Sequence, residues 1–337
     1  ARHLAESGCR VVIPTLISRK SDQMPNQISK REWLYRSAFE LGRHLIGYEL
    51  QKIFAVVDWF STQSQDDVKV GAIGWGEGGM LALYAGAIDI RIDAVCVSGY
   101  FNSRQEIWKE PLERNVFGLL TQFGDAELAA MVAPRHLIIE AADFPEVHVP
   151  PGTGGAAPAD LVTPPFDQIE AEVTRAQSIV KKLNPKPRIE LFQVESGVYG
   201  TTESLQSFLD LLSTQATVSF SENRPENLDA NFQPDRREDR QLAEIDQYNQ
   251  WLLVESSHTR QEFFSKLDTS SLEGHQQTIE WYRDFFSREV IGQFDLDLLP
   301  VNPRSRLSYQ GKNWRGYEVV LDVWPDVIAY GLSLIHI

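Results

Sequence analysis

The chain has 337 residues, room for two domains at roughly 150 residues each. Hydrophobic residues make up 42% and charged residues 23%, a globular balance that excludes a disordered chain. Acidic residues outnumber basic ones 47 to 32, and a net charge of −15 repels phosphate backbones and anionic lipid, so neither a nucleic-acid nor a membrane partner is expected.

Ala1–Gly8 reads as the end of an amphipathic helix, so the chain is expected to begin inside an element, and the compartment stays open. Cys9–Pro14 is a short β-branched run closed by proline and predicts a buried strand. The two cysteines, Cys9 and Cys96, both fall in or beside apolar runs, which reads as two buried strand thiols rather than a disulfide framework or a zinc site. From Lys30 to about Ser61 apolar residues recur at helical spacing and predict one long helix. Strands are expected at 68–74, 92–97, 135–140 and 188–194, with helices at 77–87, 167–183 and 202–212 and a Pro/Gly/Ala loop at 150–165. Apolar strands alternating with helices specify an α/β domain, a doubly wound and mostly parallel sheet.

After that domain, taken as residues 1–213, composition turns polar and charged, and 214–239, with Pro225 and Pro234, reads as a linker. Residues 240–331 hold two aromatic-faced helical patterns and then a β-ribbon around Tyr317–Trp324. Residues 332–337, Leu-Ser-Leu-Ile-His-Ile, match one frame of a sequencing-library adapter and are set aside as a scar.

One motif carries chemistry. Gly74-Trp75-Gly76-Glu77-Gly78-Gly79 stands between a predicted strand and a predicted helix. As a G-x-S-x-G nucleophile elbow it has every small residue, but Gly76 replaces the serine. As a G-x-G-x-x-G phosphate loop its letters match, yet a strand and a helix precede it and no acid ends the next strand to hold a ribose.

With this elbow, the lead-in Arg43–Trp59 and the strand Ala133–Ile139, the chain resembles the α/β-hydrolases, in particular dienelactone-hydrolase-like and acetyl-xylan-esterase-like proteins. The resemblance covers about 1–212, and 236–330 looks like the lead-in of a second hydrolase domain, as in tandem members. It implies a fold whose first strands precede residue 1, leaving an interior strand edge open. Carried over by position, the nucleophile falls on Gly76, the acid on Asp143 or else Glu140, and the histidine on Val198 in Ser196–Tyr199. Gly74, Glu77, Gly78 and Gly79 would form the elbow and oxyanion turn. Without serine and histidine no acyl-enzyme forms, so the domain is expected to be catalytically silent and to support or bind substrate for a second domain. The resemblance implies carboxylic esters, acylated sugars among them. A binding module without any hydrolytic partner is the alternative, and nucleotide binding at Gly74–Gly79 the third reading.

Tyr100, Phe101 and Trp108, with the nearby acids Glu106 and Glu110, suit a pocket wall, or equally a packed core. His148 is either at the mouth of the site or an exposed loop residue. Glu77 is either a base in a remodelled pocket or a first-turn acid facing the helix dipole. His44 and His136 read as packed histidines. No metal-ligand spacing appears, and no cofactor is expected.

Overall fold

The computed structural model describes residues 1–337 apart from 23, 64–67, 196, 214, 224, 230, 295 and 337. Ser196, Thr214 and Ile337, which figure in the sequence reading, lie outside the described residues. The chain divides into unit 1, Ala1–Ser257, and unit 2, His258–Ile337.

Unit 1 runs α1 (Arg2–Glu6), α2 (Lys30–Phe39), α3 (Leu45–Gln63), β1 (Gly71–Trp75), α4 (Glu77–Ile88), β2 (Ala94–Ser98), α5 (Asp125–Val132), β3 (His136–Ala141), β4 (Val147–Val149), β5 (Ala159–Leu161), α6 (Phe166–Val180), β6 (Ile189–Gln193), α7 (Thr202–Leu212) and α8 (Pro234–Phe263) as far as Ser257. Its sheet is parallel throughout in the order β1-β2-β3-β6, with Gly71 opposite Ala94, Ala94 opposite His136 and Leu137 opposite Ile189. Alternation divides the strand residues between two cores. Val95, Val97, Leu137 and Ile139 join residues of α4, α5 and α6, while Ala94, Cys96 and Ile138 join Leu4 of α1 and Leu205, Phe208 and Leu209 of α7. Both faces are therefore covered, as the uninterrupted apolar strands require.

Several expectations need correction. Cys9–Pro14 is not a strand. Cys9 and Val11 do pack against the α7-side core, but a strand is a property of a hydrogen-bonded pair, and the segment has no ladder partner among the described residues. Cys96 is a buried strand thiol and Cys9 only a half-buried one outside any strand. The long helix is two, α2 and α3, separated at residues 40–44, where Gly42 takes φ +69°. The 150–165 loop contains β5, which pairs antiparallel with β4.

The contact division falls at Ser257/His258, later than the 239/240 boundary read from composition. Pro234 opens α8, a first-turn position where its missing N–H costs nothing. Leu242 and Ile245 of α8 pack on Ile17, Leu34 and Leu45. Lys30 Nζ donates to Asp239 at 2.7 Å, Trp33 Nε1 to Asp246 at 3.1 Å and Tyr48 Oη to Asn249 at 2.6 Å. Before α8, Ser219 N donates to Ser7 Oγ and Ser221 N to Glu6 Oε2, so this part of the polar stretch lies along α1.

Unit 2 contains the end of α8, α9 (Leu272–Phe285), a π-helical turn at Phe286–Ile291, and a three-stranded antiparallel sheet of β7 (Arg304–Gln310), β8 (Trp314–Trp324) and β9 (Val327–His336). The stretch set aside as a scar continues β9 up to His336. Tyr282 stacks on Phe264 with ring centroids 4.5 Å apart and donates its hydroxyl to Phe263 O at 2.9 Å.

Candidate functional site

β1 delivers the chain to Gly76, which takes φ 57°, ψ −119°, and α4 starts at the next residue. Gly76 N donates to Ser98 O at 2.9 Å, and Gly76 O accepts the first helical bond from Met80 N at 3.0 Å. This reversal brings strand and helix backbones together. A Cβ on Gly74 would stand 2.1 Å from the carbonyl carbon and oxygen of Gly78. At Gly76 the positive φ itself favours glycine, since other residues are strained there by of order 1–3 kcal/mol. The strand, sharp turn and helix are the geometry of a nucleophile elbow, with a bare Cα at its apex.

Pro145 covers that apex. A Cβ on Gly76 would lie 2.3 Å from Pro145 Cγ and 2.8 Å from Cδ. Asp143 follows β3, and its carbonyl accepts from Trp75 Nε1 at 3.0 Å while its carboxylate Oδ2 accepts from Gly197 N at 2.6 Å. Val198, the histidine position, is the exposed neighbour of Gly197 in the β6–α7 loop. Tyr199 stacks on Trp75, centroids 4.5 Å apart and planes 14° from parallel. The structure thus gathers the three positions carried over by resemblance around one turn, with the acid reaching the loop where a histidine would stand.

Glu140, the alternative acid, is buried and does a different job. It accepts from Ser98 Oγ at 2.5 Å, Gly200 N at 2.7 Å, Thr201 N at 2.8 Å and Ser204 Oγ at 2.8 Å. Burial pushes its pKa up, but these four donors outweigh it and hold the carboxyl below its ordinary range. The carboxylate caps the N-terminus of α7 and ties that helix to the ends of β2 and β3.

Glu77 is the centre of a buried ionic cluster. Arg114 Nε donates to it at 2.6 Å and Arg19 Nη2 at 2.7 Å, while Arg31 Nη2 lies 3.6 Å away. Arg19 also donates to Glu113 at 2.8 Å, and Arg114 and Arg104 both donate to Glu110, at 3.1 and 2.8 Å. Burial alone would raise the pKa of Glu77, but the three guanidiniums hold it far below the usual carboxylate range. A carboxylate so firmly ionised is a poor proton carrier near neutral pH. Glu77 thus ties the first turn of the elbow helix to Arg19 and Arg114, with Arg31 beside it.

The remaining candidates are dispersed. Tyr100 and Phe101 are buried, and the guanidinium carbons of Arg104 and Arg114 lie 5.9 and 5.5 Å from the centroid of the Tyr100 ring. Trp108 is 73% exposed with Lys109 over its ring. His148 is exposed on β4 with Nδ1 3.4 Å from Asp160 Oδ1. None of the four lines the cavities of about 260 and 590 Å³ that flank β6. His44 is a packed residue, its Nε2 2.9 Å from Asn115 O and its Nδ1 accepting from Ile46 N. His136 is half-buried at the start of β3. Among the described residues no group of His, Cys, Asp and Glu is arranged to hold a metal, and no helix is long and apolar enough to cross a membrane.

Sequence reasoning did not reach two features of the site. Pro145 sits two residues after Asp143, but nothing in its local sequence aims it at Gly76. The cluster draws on Arg19, Arg31 and Arg114, positions too far apart for charge spacing to link; only Glu110–Arg114, at i,i+4, carried a local signal.

No family model and no curated protein sequence matches the chain. Among solved structures it is similar to a carbohydrate esterase family 15 glucuronoyl esterase from Caldicellulosiruptor kristjansonii, with 18% identity, 55% of each chain covered and a TM-score of 0.35. It is also similar to a glucuronoyl esterase catalytic domain from Hypocrea jecorina, with 17% identity, 52% of this chain and 54% of that one covered and a TM-score of 0.35. A third is the α/β hydrolase GrgF from Penicillium sp. sh18, with 13% identity, 50% and 71% covered and a TM-score of 0.30. The chain spans about half the length of both glucuronoyl esterases.

Proposed function

We propose that unit 1 is a hydrolase-type domain that keeps the nucleophile elbow as architecture and has lost ester hydrolysis. One observation carries this reading: Gly76 holds the strained apex conformation between β1 and α4 without a side chain. The local arrangement supports it further. Val198 offers no base, Asp143 is engaged by a backbone N–H, and Pro145 fills the space a nucleophile would need. A hydrolase needs its nucleophile within hydrogen-bond reach of a base that a third group orients, and here only the third group is present.

The domain then serves as a structural or substrate-binding part of an esterase-like protein. In this proposal residues 240–331 lead into a second hydrolase domain that performs the chemistry on carboxylic esters, acylated sugars among them. Among the described residues β1 is paired only with β2. Nucleotide binding at Gly74–Gly79 finds no support, since Pro145 occupies the room above the turn.

The test is hydrolysis of p-nitrophenyl acetate by the 337-residue chain and by the product of the complete gene. The expected result is turnover by the complete product alone. Turnover by the 337-residue chain would overturn the loss of chemistry, and an inactive complete product would overturn the assignment of catalysis to a second domain.

A further inference from the structure

We infer that the turn between β3 and β4 is a strap that seals the elbow, and that Gly76 and Pro145 form one coupled pair: a side chain at 76 and a closed strap exclude each other. The inference concerns the elbow proposed above and rests on that reading of Gly76. The strap is pinned on both sides of Pro145. Before it, Asp143 O accepts from Trp75 Nε1 at 3.0 Å and Asp143 Oδ2 from Gly197 N at 2.6 Å. Phe144 is 3% exposed, its N–H donates to Thr163 Oγ1 at 2.7 Å, and its ring stacks on Tyr100. After it, Val147 enters the β4–β5 ribbon opposite Leu161.

A proline held at both flanks has little freedom to withdraw, because its φ is fixed and its neighbours are committed. Its Cγ and Cδ stand 2.3 and 2.8 Å from where a Cβ on Gly76 would be. Those separations are shorter than any carbon–carbon contact in a packed interior, which sits near 3.5–4.0 Å. A serine restored at this apex would therefore have to push the strap open before it met a substrate. Ligand crevices of open parallel sheets lie outside the carboxyl ends of the strands, and in this molecule the strap lies over that end of β1.

The experiment places a thiol at the apex of the 337-residue chain and reads its alkylation by iodoacetamide, with Cys9 and Cys96 as internal background measured in Pro145→Gly alone. Gly76→Cys by itself is expected either to lose cooperative folding or to label no faster than that background. Gly76→Cys with Pro145→Gly is expected to fold and to label about tenfold faster or more, since thiol reactivity follows exposure. Fast labelling of a folded Gly76→Cys with Pro145 in place would overturn the strap. So would a double variant that fails to fold or labels at background. The readout involves no ester, so failure of the strap is distinguishable from failure of the proposed loss of hydrolysis.

Discussion

Units 1 and 2 use the same residue types in opposite surroundings. Unit 1 buries apolar side chains on both faces of its sheet, and its arginines and glutamates meet inside: the Arg114–Glu77 pair has side chains only 1% and 11% exposed. In unit 2 Tyr282 is the one buried apolar side chain among the described residues, while Trp281, Phe286, Phe294 and Leu334 are all more than half exposed. Its ion pairs are more open, Arg283–Glu280 having both side chains 65% exposed. An ion pair in water is screened and contributes about 0–1 kcal/mol. A buried pair is held by mutual need, because removing one partner strands a charge out of water at a cost of about 3–5 kcal/mol. The difference between the units is thus one of surroundings, and it places the structural weight of unit 1 on the elbow helix.

The sharpest way to break that comparison is Glu77→Gln, which would leave Arg19, Arg31 and Arg114 without their shared acid. Chemical denaturation should show a loss of about 3–5 kcal/mol, and a loss near zero would mean that the cluster is no more than a surface network folded inward. Next comes Asp125, wholly buried at the start of α5, where burial pushes its pKa up to about 7 against the opposing pull of Arg104 and of Asn102 N–H. An unfolded Asp titrates near about 3.9, so between roughly pH 4 and pH 7 the folded state holds a proton that the unfolded state has released. Stability should fall as pH rises through that window, by an amount on the order of 4 kcal/mol for this group alone. Asp125→Asn should flatten that slope, and an unchanged slope would contradict the assignment. A smaller effect is expected of Ser204→Ala, which removes one of four donors to Glu140; thermal unfolding should register about 1.5–3 kcal/mol, the worth of a hydrogen bond to a charged group. The smallest belongs to unit 2. A double-mutant cycle on Arg306 and Glu318, neighbours across β7 and β8 with Arg306 77% exposed, should give a coupling of about 0.5 kcal/mol or less. A larger coupling would erase the contrast between the units.

The fold was legible in the sequence where one element settles its own character. The four sheet strands are largely apolar, and they, like α4 and α7, stand within about three residues of their expected places. Elements that depend on a partner were not legible. Cys9–Pro14 has strand composition without a neighbour, and β5 is three residues that become a strand only opposite β4. Pro234 looked like linker composition and proved to be a helix start, because proline serves both roles and only the docking of α8 on α2 and α3 decides between them. At the site the same division holds. Gly76, Asp143 and Val198 are placed by resemblance to a known pattern, Gly76 and Asp143 one and two residues after β1 and β3 and Val198 in the β6–α7 loop. Pro145 and the arginines around Glu77 are not, because their roles arise from packing between segments far apart in the chain.

The central claim is that the elbow survives as backbone without its chemistry. Intact-mass spectrometry of the folded 337-residue chain after exposure to a fluorophosphonate tests it most directly, because that reagent records any activated serine whether or not its position was foreseen. The account predicts an unmodified mass. A single stoichiometric adduct on a serine would reveal a nucleophile displaced from Gly76 and would contradict the claim.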